Sequence, residues 1–225
     1  MGIADFLFPK KCLECGRAGS YICVSCIDNI QTLSQVCIAC GRPSIDGMTH
    51  FTCRRALGLD GLIFIWPYGG VVRKALLALK YKYAKEIAEE LSEYSLSFLR
   101  KRYVLLPPDP TLVSIPLYWF RKNWRGFNQT EEIGKLISQG MDWGFEPELL
   151  VRKRLKKPQT QLKKEERGKN IRGVFSLNPH NSSFMIHDSI ILFDDVFTTG
   201  STLKEATKVL KRKGAKKVWG LTIAR

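Results

Sequence analysis

Residues 189–214 read SIILFDDVFTTGSTLKEATKVLKRKG, and this stretch decides the fold. It opens with a continuous apolar run, Ile190 to Phe193, which is typical of a strand buried on both faces of a parallel sheet. Two adjacent aspartates follow, and then a short loop of hydroxyl residues with one glycine. Apolar residues recur at helical spacing from Leu203 to Leu210, and Gly214 marks the helix end. This order of elements predicts an α/β domain.

The loop between this strand and this helix has the groups that a phosphate site needs. A helix N-terminus offers unpaired N–H groups and a partial positive charge, and Gly200 lets the backbone approach an anion closely. Asp194 and Asp195 lie at the carboxyl end of the strand, where they can accept hydrogen bonds from vicinal hydroxyls. Further donors are the hydroxyls of Thr198, Thr199, Ser201 and Thr202.

A ribose 5-phosphate meets both demands, and the loop resembles the phosphoribosyl-pyrophosphate (PRPP) loop of type I phosphoribosyltransferases. The competing interpretation is an acidic turn before an ordinary capped helix. That interpretation accounts for an aspartate pair alone, whereas the full order of strand, acids, TTGST and helix favours the phosphate site.

Length and charge restrict the class of protein. A chain of 225 residues suits one α/β domain with a small appended module. The net charge of +15 favours polyanionic partners such as phosphate esters, nucleic acid or acidic membrane surfaces. No apolar run approaches the length of a membrane span, and the N-terminus is too short for a signal peptide, so we expect a cytoplasmic protein without membrane insertion.

The cysteines predict a metal-binding module. Seven cysteines are an odd number, which argues against a complete disulfide framework. They form pairs at two-residue spacing, and His50 completes the fourth pair. The eight candidate ligands are Cys12, Cys15, Cys23, Cys26, Cys37, Cys40, His50 and Cys53. Two tetrahedral zinc sites satisfy them, and we favour sequential grouping over an interleaved one because the gaps are short.

The module spans residues 1–56 and is expected to need metal to fold, while residues 57–225 form the larger domain. One or two structural zinc ions are predicted, since the second site depends on His50 replacing a cysteine.

Two basic segments lie between the predicted core strands. Residues 112–115 are predicted as a strand, and the following loop carries Arg125 and Gly126, where a type I transferase holds pyrophosphate. Residues 148–154 are predicted as the next strand. Ten basic and two acidic residues then lie in the segment from Arg152 to Arg172. This segment is interpreted as a functional lid or, alternatively, as a solvated basic linker.

Three blocks together resemble the ComF family of competence proteins. Two are SIPLYWFRKNWRGFNQ, from residue 114, and ILFDDVFTTGSTL, from residue 191. The third is the spaced set Gln159, Leu162, Arg167, Asn170, Gly173 and Phe175. The resemblance implies a double zinc ribbon before a type I phosphoribosyltransferase-like domain, a Rossmann-like parallel sheet flanked by helices. It also implies a role in natural transformation, with incoming single-stranded DNA and a helicase-type competence protein as partners. His50 departs from the family's cysteine pattern.

Two functions follow from these observations. The first is a Mg²⁺-dependent phosphoribosyltransferase in which Asp194 and Asp195 hold the ribose hydroxyls, residues 198–202 hold the 5-phosphate, and the Arg125 loop holds pyrophosphate. The acceptor is left open. The second is a non-catalytic single-stranded nucleic-acid binder that keeps the fold. Its support is the interleaving of basic residues with Trp119, Phe120, Trp124 and Phe127. These aromatic residues could instead pack in the core or line a nucleobase pocket.

Overall fold

The predicted strand at residues 190–193 lies in the middle of a five-stranded parallel sheet. The computed structural model describes residues 9–79, 84–101, 106–116, 128–152, 173–181 and 189–225. The strands are β1 Gly61–Trp66, β2 Thr111–Ser114, β3 Gly144–Phe145, β4 Leu150–Arg152, β5 Phe175–Leu177, β6 Ser189–Val196 and β7 Lys217–Ala224. The helices are α1 Val24–Asp28, α2 Gly70–Ala78, α3 Ala84–Lys101, α4 Gln129–Met141 and α5 Ser201–Arg212.

The main sheet has the strand order β1-β7-β6-β2-β3, and each neighbouring pair is parallel. In β6, residues 190–193 are fully buried, which explains why polar residues do not alternate with apolar ones there. The strand predicted at residues 112–115 corresponds to β2 of this sheet, and β1 and β7 belong to the same sheet. The predicted α/β fold, a parallel sheet flanked by helices, is therefore confirmed.

Helices cover both faces of the sheet. Val72 of α2, Leu91 of α3 and Ile137 of α4 are buried in one core cluster with Ile191 of β6. Leu203, Ala206 and Leu210 of α5 are buried in the other cluster, against Leu192 of β6. Helix α4 begins where Asn128 caps it, since the Asn128 Oδ1 accepts a hydrogen bond from the Thr130 N–H at 3.2 Å. Among the described residues, no helix is both long and apolar enough to cross a membrane.

The strand predicted at residues 148–154 forms at Leu150–Arg152, but its expected place among the core strands is wrong. Within this segment, β4 pairs antiparallel with β5 in a separate two-stranded sheet, and the edge position beside β2 belongs to β3. Leu149, Leu150 and Phe175 are buried in the α5-side cluster. A short apolar run of this kind has the same composition whether it is a central strand or a small outlying one, so periodicity could not separate the two.

The N-terminal module contains two similar turns. In the first, the Gly16 N–H donates to the Cys12 carbonyl at 2.9 Å, and in the second the Gly41 N–H donates to the Cys37 carbonyl at 2.8 Å. Both glycines have positive φ angles, +75° and +73°, a conformation that other residues rarely adopt. The same turn, with a cysteine pair before its glycine, thus occurs twice in the module.

This module covers the exposed edge of β1. The Gln35 side chain donates to the Phe64 carbonyl at 2.9 Å and accepts from the Phe64 N–H at 3.2 Å, while Met48 forms a bridge with Gly61. Covering an edge strand satisfies its backbone groups and prevents pairing with other chains. The boundary placed between residues 56 and 57 remains a prediction, and contacts join its two sides.

Candidate functional site

The loop after β6 ends in an uncapped helix N-terminus. Gly200 occupies the N-cap position of α5 with φ +68° and has no side chain that could accept from the first turn. In the described part of the chain, no acceptor is present for the N–H groups of Thr202 and Leu203. Free amides at the positive end of a twelve-residue helix are suited to bind an anion.

Hydroxyl groups surround these amides. The Thr199 Oγ1 lies 2.9 Å from the Ser201 Oγ, and Thr198 is exposed beside them. The loop encloses a cavity of about 10 Å³, lined by Asp194, Val196, Phe197, Thr198, Gly200, Thr202 and Leu203. A phosphate group is too large for that space, so a ligand on this loop would lie on its outer surface, over the free amides.

The two aspartates have different positions. Asp194 lines the loop cavity, whereas Asp195 does not, because successive side chains along a strand point to opposite faces and β6 continues to Val196. Each carboxylate accepts from the next backbone N–H, Asp194 from Asp195 at 3.0 Å and Asp195 from Val196 at 2.7 Å. Sequence analysis assigned the same role to both acids, whereas the structure brings only Asp194 to the cavity wall.

Burial raises the pKa of the Asp194 carboxyl well above its ordinary value, and the neighbouring Asp195 charge raises it further. The Arg152 charge acts in the opposite direction and lowers this pKa. A desolvated acid beside a second acid at the carboxyl end of a parallel sheet is typical of a ligand site, where ligand groups relieve the repulsion.

Arg152 is a residue that sequence reasoning did not assign to the site. It ends β4, and its guanidinium carbon lies 5.6 Å from the centre of the Phe175 ring of β5. The sequence offered no signal for this placement, because Arg152 is only the first of a run of basic residues and its proximity to Asp194 depends on the small two-stranded sheet.

The eight metal-ligand candidates form two tetrads, and the grouping is the sequential one. In each tetrad the ligand atoms lie within 4.8 Å of one another. The first comprises Cys12, Cys15, Cys23 and Cys26, and the second comprises Cys37, Cys40, His50 and Cys53. Zinc bonds of about 2.3 Å to sulfur and 2.0 Å to nitrogen place tetrahedral ligands about 3.5 to 3.8 Å apart. The Cys15–Cys23 sulfur distance is 3.7 Å, and the Cys40 Sγ–His50 Nδ1 distance is 3.4 Å, so the residues fit zinc.

His50 is oriented for this role. Its Nε2 lies 3.0 Å from the Pro43 carbonyl, which requires the proton on Nε2 and leaves the Nδ1 lone pair facing Cys40. The carbonyl thus fixes the imidazole tautomer that a metal ligand needs.

Backbone N–H groups favour the thiolate form of two of the candidate metal ligands, Cys12 and Cys40. The backbone N–H of Arg42 lowers the pKa of Cys40 to about 7. Burial raises the pKa of Cys12, but hydrogen bonds from the backbone of Cys15 and Cys23 outweigh it and bring the pKa to about 6. The thiolate is the form that binds metal.

Several predicted site residues lie outside the described ranges. They are Arg125, Gly126 and the aromatic and basic residues of 117–127, together with residues 153–172 of the predicted lid. Gly173, the first described residue after that segment, donates its N–H to Glu205 of α5 at 2.8 Å.

Comparisons with known proteins place these features in a family. Residues 3–56 match the family model of the double zinc ribbon domain. The DNA utilization protein YhgH of Escherichia coli K12 is 31% identical over 211 residues, covering 89% of this chain and 89% of that protein. Competence protein F of Haemophilus influenzae is 29% identical, covering 96% of this chain and 98% of that protein. Competence protein ComFC of Bacillus subtilis is 28% identical, covering 86% and 79%.

Among solved structures, adenine phosphoribosyltransferase from Leishmania tarentolae aligns with a TM-score of 0.33 at 15% identity, covering 61% of this chain and 70% of that one. That superposition is loose, and the fold assignment rests on the strand order and register. The family assignment rests on the long sequence matches and on the ribbon. The chain belongs to the ComF family of competence and DNA utilization proteins.

Proposed function

We propose that this protein binds a phosphorylated ribose at the carboxyl end of β6 and acts in the handling of DNA taken up by the cell. The observation that supports the ligand most directly is the uncapped N-terminus of α5 beside the desolvated carboxyl of Asp194. The printed names of the relatives, competence and DNA utilization proteins, support the biological role.

In this proposal the 5-phosphate accepts hydrogen bonds from the Thr202 and Leu203 amides and from the loop hydroxyls. The ribose hydroxyls donate to Asp194 and Asp195, whose mutual repulsion they reduce. Burial removes water from Asp194, and this desolvation raises its pKa. Donors on the ligand would replace that water, so the same desolvation favours ligand binding.

PRPP is the ligand of this class that carries a pyrophosphate in addition to the 5-phosphate. The Arg125–Gly126 loop is the proposed site for that pyrophosphate. In a transfer reaction the bond from the anomeric carbon to pyrophosphate breaks, pyrophosphate leaves with the electron pair, and the acceptor forms the new bond. The chain contributes positioning and charge stabilisation. Mg²⁺ bound with PRPP would neutralise the charge that develops on the leaving pyrophosphate.

The ribbon has a structural role in this proposal. Each tetrad would hold one zinc ion through its four ligands, and the two ions together would fold a segment with few large apolar side chains. The predicted metal content is two zinc ions per chain.

Titration calorimetry with ribose 5-phosphate, and with PRPP plus Mg²⁺, tests the ligand. We expect the double variant Asp194→Asn plus Asp195→Asn to bind each ligand at least about tenfold more weakly, because each lost charged hydrogen bond contributes roughly 1.5 to 3 kcal/mol. Asp109→Asn is the matched control, since Asp109 is exposed at the opposite, amino end of β2. Equal affinity of the double variant and the control would contradict the proposed site.

A second candidate function, single-stranded nucleic-acid binding, is favoured by one described surface. The Phe51 side chain is 86% exposed, an unusual state for a large aromatic residue, and Arg54 and Arg55 follow it in exposed positions. Stacking of a base on an aromatic ring, with phosphates held by arginine, is the recognition mode of single-strand binders.

Fluorescence anisotropy with a labelled oligothymidine at two salt concentrations tests this candidate. We expect Phe51→Ala to weaken binding by roughly five- to a hundredfold, the range for loss of one stacked base, and Phe51→Trp to retain affinity. Tyr68→Ala, which removes another exposed ring, is the control. Unchanged affinity of Phe51→Ala at both salt concentrations would exclude this surface.

A further inference from the structure

Ile38 of the second metal-binding turn, residues 37–43, lies beside Gly200 in the loop of residues 197–200, which is the proposed phosphate loop. A Cβ atom placed on Gly200 would lie 3.3 Å from the Cδ1 of Ile38, and 2.5 Å from the Cε2 of Phe197. The backbone at the start of α5 is therefore packed between a ring of its own loop and an isoleucine from the zinc-ribbon module. Both side chains pack against the α5-side core cluster.

The position of Ile38 is set by the second tetrad. It lies between the ligands Cys37 and Cys40, in the tight turn closed by the hydrogen bond from the Gly41 N–H to the Cys37 carbonyl. Cys37 is fully buried. A metal ion that joins Cys37 and Cys40 to His50 would hold this turn, and with it Ile38, against the loop.

The residues that flank this turn are hydrogen-bonded to the larger domain through Gln35 and Thr49, without the metal. Gln35 is hydrogen-bonded to the backbone of Phe64, and Thr49 donates its hydroxyl to the Leu59 carbonyl at 2.8 Å and its N–H to the Asp60 carbonyl at 2.8 Å. These anchors fall on either side of residues 37–43. Loss of metal from the second tetrad would therefore release the turn at its tip while the flanking segments stay attached to the sheet.

We infer that Ile38 is a positioning residue for the phosphate loop, so that the affinity of the loop for a phosphorylated ribose depends on metal in the second tetrad. The inference rests on the proposed function for its ligand. Its physical basis is preorganisation: a loop held in one conformation loses less conformational freedom when the ligand binds. The second zinc site then acts on the ligand site as well as on the fold of the ribbon.

The experiment uses the full chain and two matched variants. Ile38→Val deletes the Cδ1 atom that faces Gly200, and Ile45→Val deletes the same atom from an isoleucine of the same ribbon that is 74% exposed. Hydrogen exchange of peptides covering residues 197–203 and calorimetry with ribose 5-phosphate are measured for both. We expect Ile38→Val to exchange faster in this segment and to bind about two- to tenfold more weakly, with the zinc content unchanged. Ile38→Met, which restores a δ atom, should recover most of the affinity.

A third variant tests the dependence on metal. His50→Ala removes a ligand from the second tetrad alone, and we expect the zinc content to fall from two ions to one with the same faster exchange at residues 197–203. Exchange and affinity of Ile38→Val equal to those of Ile45→Val would overturn the inference. Absence of ribose 5-phosphate binding by the unaltered chain would overturn the proposed function instead, while the exchange measurement would still decide whether Ile38 orders the loop.

Discussion

The surroundings of Asp194 in the folded chain disfavour its charged carboxylate. Its pKa is raised by burial and by Asp195, so the folded chain favours the protonated carboxyl more than the unfolded chain does. A raised pKa means that this group favours the folded state fully below its ordinary value of 3.8 and that this contribution is lost as the pH rises through the raised pKa. At neutral pH the charge of an ionised Asp194 therefore destabilises the ligand-free protein.

Removal of that charge should stabilise the protein. We expect Asp194→Asn to raise the melting temperature at pH 7, by the equivalent of about 1.4 kcal/mol for each unit of pKa shift, and the gain to shrink towards pH 4. Thermal unfolding of this variant and of Asp109→Asn over this pH range provides the measurement. A lower melting temperature for Asp194→Asn at pH 7 would show that the carboxylate is stabilised by its surroundings. A gain in stability with a loss of ligand affinity is the pattern expected of a functional acid.

At the residue scale, sequence reasoning grouped the eight metal-ligand candidates as the structure has them, whereas the role of Asp194 and Asp195 stays a prediction. The spacing of Cys37, Cys40, His50 and Cys53 was enough to group a tetrad, because each pair lies in one short turn. The difference between Asp194 and Asp195 depends on β6 continuing to Val196, beyond its apolar run. The contact between Ile38 and Gly200 joins positions far apart in the chain, and no local pattern contains it.

At the scale of elements, α5 and the glycine before it decide the shape of the phosphate loop. Ala at a position with φ near +70° costs roughly 1 to 2 kcal/mol, whatever the surroundings. At Gly200 the added Cβ would also meet Phe197, whereas at Gly173, with φ +71°, no atom of the described residues beyond its chain neighbours lies within 4 Å of the added Cβ. The two glycines thus have the same backbone conformation and different surroundings.

We expect Gly200→Ala to lower the free energy of unfolding more than Gly173→Ala does, by a further 1 to 3 kcal/mol or so from overpacking. Chemical denaturation of the two variants measures the difference. Equal losses would mean that the Phe197 ring moves aside freely, and the loop would then be less constrained than its contacts indicate.

Among the elements, β6 could be predicted from sequence. Its apolar run has the length of a buried strand, and an acid pair and a helix follow it. β3 was not, because Gly144 and Phe145 alone carry no periodic signal. β4 was misplaced because its partner β5 lies beyond a long basic segment, so sequence order suggested a core position that the pairing with residues 175–177 excludes.

At the scale of the whole molecule, the ribbon and the sheet both contribute to the proposed site. The ribbon covers the β1 edge through Gln35 and lies against the start of α5 through Ile38, so a module predicted as an appendage contributes to the wall of the loop that is proposed to bind the ligand. The charge of +15 supports partners that are polyanions, and a phosphorylated ribose and a DNA strand both have that character.

The central claim is that the start of α5 and the end of β6 bind a phosphorylated ribose. Amide chemical shifts of the ¹⁵N-labelled protein, followed while ribose 5-phosphate is added, test it most directly. The claim predicts saturable shifts concentrated at Gly200, Ser201, Thr202, Leu203 and Asp194, with little change elsewhere in the sheet. Shifts confined to other surfaces, or no saturable shift at these five amides, would contradict it.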